Sequence, residues 1–137
     1  MPETPSKKAV VPQPRTITAT LDPAVILDIV RDQGFFYFDL SNILNRPAYR
    51  ISIKLKESII GNDGSKKISS LKIFRSLLYL APNKTIRIPI DTCESYFRHN
   101  ATKITGHLIY VNADGKRFKS PILHDLGIYK DLTEVIQ

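Results

Sequence analysis

The fold is decided by the stretch FFYFDLSNILNRPAYRISIKLKE, residues 35–57, which holds the densest apolar material in the chain. It predicts two β-strands joined by a short polar connection. In the second strand apolar and polar residues alternate strictly, which is typical of a strand with one buried and one solvated face. The predicted buried residues are Tyr49, Ile51, Ile53 and Leu55, and the predicted exposed residues are Arg50, Ser52, Lys54 and Lys56.

A second hairpin is predicted from residues 103–112 and 116–123. The three-residue loop between these strands, Ala113-Asp114-Gly115, suits a turn with Gly115 in the left-handed conformation. That loop fixes the register, so that Tyr110 faces Phe118, Leu108 faces Ser120 and Gly106 faces Ile122. The predicted buried face of this hairpin comprises Ile104, Leu108, Tyr110, Phe118 and Ile122.

Further strands are predicted before and after these hairpins. Residues 16–21 are typical of a strand, and residues 24–30 favour a strand over the alternative of a helix that begins after Asp22-Pro23. Residues 85–90 predict a strand whose Pro89 lies at a sheet edge or at a bulge, because proline cannot donate a hydrogen bond to a ladder.

Helical segments are less clearly indicated. Residues 91–97 predict a short helix capped by Asp91 or Thr92. Residues 71–80 fit a helix as well as they fit an irregular strand, and residues 128–136 predict a last strand or a short helix. Both alternatives stay open at these two places.

The spacing of these elements predicts the fold class. Six to eight short strands, with turn signals about every ten residues, favour an immunoglobulin-like antiparallel β-sandwich of about seven strands. We expect one all-β domain over residues 16–137. It is preceded by an extended, flexible arm over residues 1–15, which hold four of the nine prolines.

The composition limits the class of protein. The chain has 137 residues, of which 42% are hydrophobic and 24% charged, as expected of a globular domain. Its one cysteine, Cys93, excludes an intrachain disulfide, and no apolar run reaches the length of about 20 residues that a membrane span needs. The first residues also lack the pattern of a signal peptide, so we expect a cytoplasmic protein.

The turns between these strands carry a resemblance to a known class of module. Asn42 and the step Arg46-Pro47-Ala48-Tyr49 lie between two strands, and LAPNKTIRIPID and YVNADGKRF follow. Over residues 35–125 the chain resembles prokaryotic immunoglobulin-like β-sandwiches of the adhesion and CARDB-like types. It has Asn83 where such domains usually carry glycine. The resemblance implies a binding or scaffolding module and supplies no catalytic residue.

Reactive side chains are few and scattered. Cys93, His99, His107 and His124 lack the spacing of a zinc site, and no family-specific pattern surrounds Cys93. The predicted register places His107 on the outer face and His124 beside Ile104 on the inner face. The sequence therefore predicts no catalytic residue, no metal site, no cofactor and no small-molecule substrate, and we expect a protein that is not an enzyme.

Basic residues are the one positive functional signal. The chain carries 20 Lys and Arg against 13 Asp and Glu, a formal charge of +7, which favours acidic partners. The bland alternative is that these side chains only keep the protein soluble and prevent edge pairing. The candidate binding residues, on outward faces and at a hairpin end, are Arg50, Lys54, Lys56, Arg87, Lys116, Arg117 and Lys119.

These observations predict a non-catalytic interaction or structural subunit of a larger assembly or homo-oligomer. It would bind a protein partner through the basic surface, the N-terminal arm and residues 71–80. The alternative is a nucleic-acid-binding protein that uses sequence-independent electrostatic contacts, with Tyr37 or Tyr49 as a stacking face.

Overall fold

The structure is a computed structural model that describes the backbone of residues 22–136 and the side chains of residues 22–132. The predicted arm, residues 1–15, and the predicted strand over residues 16–21 lie outside the described residues.

Two antiparallel sheets contain most of the strands. The three-stranded sheet has the order β1 (Val25–Asp32), β2 (Phe35–Asn42) and β7 (Thr85–Thr92). The four-stranded sheet has the order β6 (Leu77–Leu80), β3 (Ala48–Leu55), β8 (Lys103–Val111) and β9 (Arg117–Asp125). A small ribbon pairs β4 (Ile60–Gly61) with β5 (Lys66–Lys67). The helical elements are a 3₁₀ turn at Ile68–Ser70 and the helices α1 (Lys72–Arg75), α2 (Cys93–His99) and α3 (Gly127–Ile136).

The chain passes between the two sheets after β2, after β6 and after β7, as it does in an immunoglobulin-like sandwich. The inner faces supply the core, since alternate residues of each strand point inwards. Among its fully buried residues are Phe36, Phe38, Leu40, Ile51, Ile104 and Leu108. The predicted fold class, an all-β antiparallel sandwich, is confirmed.

The buried side chain of Asn42 fixes the crossover from β2 to β3. Its Nδ2 donates to the carbonyl oxygens of Arg46 at 2.6 Å and Leu80 at 3.4 Å. Its Oδ1 accepts from the backbone N–H groups of Ala24 at 3.3 Å and Leu44 at 3.5 Å. One amide group thereby connects the crossover to the start of β1 and the end of β6.

The central strand, β3, follows the predicted alternation in its second half only. Ile51 and Ile53 are buried and Lys54 is exposed, as predicted, while Leu55 is half-buried. Before Ile51, Arg50 has a positive φ of 52° and the pairing with β8 shifts between Tyr49 and Ser52, which marks a β-bulge. The prediction that Tyr49 is buried was therefore wrong, because the bulge gives its inward position to Ala48.

The β8–β9 hairpin has the predicted register, with Tyr110 opposite Phe118, Leu108 opposite Ser120 and Gly106 opposite Ile122. Gly115 has a φ of 84°, which confirms the left-handed position in the loop. Four of the five predicted inward residues are buried, whereas Phe118 is half-buried.

The open alternatives are now resolved. The prediction of a strand over residues 24–30 is met by β1, which begins at Val25, residues 71–80 contain both α1 and β6, and residues 128–136 belong to helix α3. Pro89 lies in an edge strand and also beside a bulge, where the β2–β7 register shifts between Phe36 and Tyr37. Helix α2 is capped by Thr92, whose Oγ1 accepts from the N–H of Ser95 at 3.2 Å.

Gly106 of β8 lies opposite Leu55 of the neighbouring strand β3. A Cβ atom at this position would collide with the carbonyl oxygen of Lys54, which is backbone and cannot move aside. Gly115, in contrast, needs its positive φ but faces open space.

We therefore predict that Gly106→Ala lowers the free energy of unfolding by at least about 3 kcal/mol. Gly115→Ala is the control and costs only about 1–2 kcal/mol, the price of a left-handed alanine. Urea denaturation of both variants measures the difference. Equal losses would show that β3 and β8 are farther apart than the structure places them.

Candidate binding surface

The outer face of the four-stranded sheet gathers most of the predicted basic residues. In the register, Lys54 faces His107 and His107 faces Pro121, and in the next row Ile109 faces Lys119. Lys54, Lys56 and His107 line one shallow depression of about 300 Å³. We call the basic face the set Arg50, Lys54, Lys56, Lys116, Arg117 and Lys119, all of which are exposed.

Carboxylates are excluded from the middle of the basic face. Glu57 and Asp125 lie at one end of the sheet, where both accept hydrogen bonds from backbone N–H groups. The N–H of Thr105 binds Glu57 at 2.8 Å and lowers the pKa of its carboxyl group. Within residues 22–132, no acidic side chain lies within ion-pair distance of the six basic-face residues. Among the described residues these six cations therefore have no ion-pair partner. The charge of Lys56 still helps to lower the pKa of Glu57, and the ammonium of Lys116 lies 5.2 Å from the ring centroid of Phe118.

Arg87 does not belong to this surface, although the sequence grouped it there. It lies on β7, in the other sheet, and its guanidinium binds the carboxylate of Asp39 through two hydrogen bonds of 2.9 Å. That bond raises the pKa of Arg87, and the guanidinium also lies 4.8 Å from the ring centroid of Tyr37. The Oδ2 atom of Asp32 lies 3.6 Å from Nη1 of Arg87. The charge of Arg87 is thus matched locally, and Tyr37 is not free to stack on a base.

The outer face of the three-stranded sheet has the opposite character. One row of the register contains Asp28, Asp39 and Arg87, and Asp32 lies at the end of β1. Three carboxylates accompany one cation there. The outer faces of the two sheets therefore differ in charge: the described carboxylates accompany Arg87 on the three-stranded sheet, and the cations of the basic face lie on the four-stranded sheet.

Large apolar side chains also reach solvent around the basic face. Leu123 on β9 is 75% exposed, and Leu78 and Tyr79 on β6 are 73% and 50% exposed. The ring of Tyr79 contacts that of Tyr49 at a centroid distance of 5.4 Å. Sequence reasoning named residues 71–80 as a stretch that contacts a partner but left its structure open, and so it did not single out Leu78 and Tyr79. The signal was the unbroken run Leu77-Leu78-Tyr79-Leu80, since a half-buried strand would alternate.

The three histidines are separated, as the predicted register requires for His107 and His124. The ring of His124 binds the carbonyl oxygen of Leu27 at 2.9 Å and so connects β9 to β1. His99 lies in α2, where Nδ1 donates to the carbonyl of Ser95 at 2.9 Å. No group of three or more His, Cys, Asp or Glu side chains suited to a metal ion occurs in the described part of the chain.

Asp91 and Ser95 form a buried pair next to α2. The Ser95 hydroxyl donates to Oδ2 of Asp91 at 2.6 Å, and Asp91 also accepts from the N–H groups of Thr92 and Asp63. Since Nδ1 of His99 donates to the carbonyl of Ser95, it is not available as a base for the hydroxyl. This arrangement differs from a nucleophile–base pair and holds the β4–β5 turn against the helix.

Across residues 22–136 no helix combines the length and the apolarity that crossing a membrane requires.

Comparison with known proteins gives one match. A family model described as a domain of unknown function (DUF8453) matches residues 6–130, which include nearly all of the described sandwich. No curated protein and no solved structure matches the chain.

The buried Asp91 carboxylate makes Ser95 a structural residue. We predict that Ser95→Ala removes the shortest hydrogen bond to Asp91 and lowers the free energy of unfolding by about 1–3 kcal/mol. The exposed Ser58 is the control, and Ser58→Ala is expected to stay within about 0.5 kcal/mol. Urea denaturation of both variants is the measurement, and equal stabilities would contradict a structural role for Ser95.

The thiol of Cys93 is predicted to be slow to react. Partial burial raises its pKa, and the opposing charge of Arg31 does not cancel this effect. Because the thiolate is the nucleophile, the rate of alkylation by iodoacetamide should rise with pH at a higher midpoint than for the same chain unfolded in urea. A midpoint below that of the unfolded chain would reveal an activated thiol and a catalytic role.

Proposed function

The chain belongs to the DUF8453 family, a domain of unknown function, and we propose that it is a non-catalytic interaction module whose basic face binds an acidic surface of a partner protein. The resemblance to prokaryotic immunoglobulin-like, CARDB-like modules is part of this proposal. So is a cytoplasmic location, where a lone thiol such as Cys93 stays reduced.

The segregation of charge is the observation that carries the proposal. The two outer faces belong to the same small sandwich, yet within residues 22–132 only the three-stranded one pairs its cation with carboxylates. If the basic side chains served solubility alone, both faces would be expected to mix the two signs of charge. A rigid sheet that holds cations in fixed rows is also suited to guide an acidic surface into place.

A protein partner is favoured over nucleic acid by the side chains between the cations. Pro121 lies in the same row as Lys54, Ile109 lies opposite Lys119 and Val111 lies opposite Arg117. Apolar residues surrounded by charge are typical of protein interfaces. A surface that binds single-stranded nucleic acid with no sequence preference usually adds exposed rings on which successive bases stack. Tyr37 lies under Arg87 on the other sheet, and Tyr49 is half-buried against Tyr79.

The reactive groups support a non-catalytic role. The Ser95 hydroxyl is hydrogen-bonded to Asp91, and burial raises the pKa of the Cys93 thiol. The imidazole of His99 lies beside the Ser95 hydroxyl, but its Nδ1 donates to the carbonyl of Ser95 and so does not supply the adjacent base that a nucleophile requires.

A charge-reversal pair tests the proposal. Lys54→Glu with Lys119→Glu places two negative charges in the middle of the basic face, whereas Lys66→Glu with Lys67→Glu makes the same change of net charge on β5. We predict that the first variant weakens binding to the partner at least tenfold, about 1.4 kcal/mol, and that the second stays within about twofold. The partner is first recovered by affinity capture from nuclease-treated extract and then measured by calorimetry as purified protein.

Equal losses in the two variants would contradict binding through the basic face, because only the net charge would matter. The nucleic-acid alternative is tested with a 20-nucleotide single strand and a duplex of the same length. Binding that falls steeply with salt, in the absence of any captured protein, would replace the proposal with that alternative.

A further inference from the structure

In the described part of the chain, the two large sheets have four edge strands, and three of them carry a feature that prevents further pairing. Strand β7 has Pro89 and Arg87, and β9 has Pro121 and Lys119. Strand β1 lies against β9, where the ring of His124 binds the carbonyl oxygen of Leu27. Proline, charge and coverage are the usual means by which proteins protect sheet edges.

Strand β6 is the fourth edge and has none of these features. Its sequence, Leu77-Leu78-Tyr79-Leu80, contains no proline and no charge, and no described strand pairs with its outer side. Leu78 and Tyr79 are the exposed apolar residues of this edge. An unprotected edge presents unpaired backbone N–H and C=O groups, which an extended chain satisfies best. Its four residues restrict such pairing to a short segment.

Two shallow depressions each include Leu78 in their lining and could receive side chains of an added strand. One, of about 260 Å³, is lined by Tyr49, Leu78 and Val111 among others. The other, of about 270 Å³, is lined by Ile51, Ser52 and Leu78 together with Arg75. Alternate side chains of a strand point to opposite faces, so an added strand would offer residues to both sides of the edge.

Charge selects the kind of segment that fits. Arg50 lines both depressions and Arg75 lines one, and both side chains are exposed. A second copy of β6 brings no carboxylate to these arginines, so self-pairing leaves them without counter-charges. An extended segment that alternates apolar and acidic residues supplies both the backbone partner and the carboxylates.

We propose that β6 is a docking edge at which a short extended segment of a partner protein, with alternating apolar and acidic residues, adds a fifth strand to the four-stranded sheet. This proposal deepens the proposed function by naming the mode of binding, and it rests on that interaction role. It does not require contacts in the middle of the basic face.

The test uses two fluorescein-labelled probes of eight residues, one alternating Val and Asp and the other alternating Val and Lys. Leu78→Lys introduces a charge into the unprotected edge. Leu123→Lys is the matched control, since it makes the same change at a leucine of nearly equal exposure on β9. Fluorescence anisotropy gives the affinities, and hydrogen exchange of the backbone amides gives the site.

We expect the Val/Asp probe to bind, with slower amide exchange in β6. We also expect Leu78→Lys to weaken this binding at least tenfold and Leu123→Lys to change it by less than twofold. The Val/Lys probe should not bind. Both substitutions are at exposed positions, so both variants are expected to fold, which circular dichroism checks.

Several results would overturn the docking edge. The Val/Asp probe could bind without being weakened by Leu78→Lys and protect only the amides of β3, β8 and β9. That result would exclude β6 as the binding site and leave the basic face. Equal binding of both probes would show that the site does not prefer acidic segments. Failure of both probes to bind would also reject the proposal, as would a dimer in sedimentation that Leu78→Lys abolishes, because the occupant would then be a second copy.

Discussion

The hydrogen bonds of the Asn42 side chain are the constraint on which the sandwich most depends. They join the start of β1, the crossover from β2 to β3 and the end of β6, and so fix the point where the chain leaves one sheet for the other. A buried amide that lost these partners would carry a desolvation cost with nothing to offset it. Because Leu80 is one of the partners, the same side chain also positions the β6 edge. The fold and the proposed binding surface thus share one anchor.

The bulge at Arg50 determines which side chains of β3 face the core and which face the outer side of the four-stranded sheet. By inserting a residue with positive φ, it moves Ala48 into the core and leaves Tyr49 on the side of Tyr79. A strand without the bulge would bury Tyr49 and leave the outer side of β6 without its aromatic neighbour. A local backbone irregularity therefore determines which side chains accompany the cations, in keeping with the frequent placement of bulges near binding sites.

Sequence reasoning succeeded where the information was local. The β8–β9 register followed from the three-residue loop with Gly115, because a short hairpin loop fixes which residues face each other. The burial of Ile51 and Ile53 followed from alternation, and Pro89 predicted a sheet edge or a bulge in β7, where the structure has both. In each case the deciding residues are neighbours in the sequence or act on their own backbone.

Sequence reasoning failed where the position of a side chain depends on which strands become neighbours. Arg87 and Lys54 have the same outward pattern in the sequence, yet they lie in different sheets, and only the structure shows that Asp39 neutralises Arg87. The same holds for Leu78, since an apolar run cannot reveal by itself that no described strand covers it.

Arg50 connects the two proposed surfaces, because it lies between the cations of the basic face and the depressions beside β6. An acidic partner that engaged the rows of Lys54 and Lys119 would bring its own chain close to an unprotected edge. Electrostatic attraction and strand addition would in that arrangement act on the same partner, one guiding the encounter and the other fixing the register.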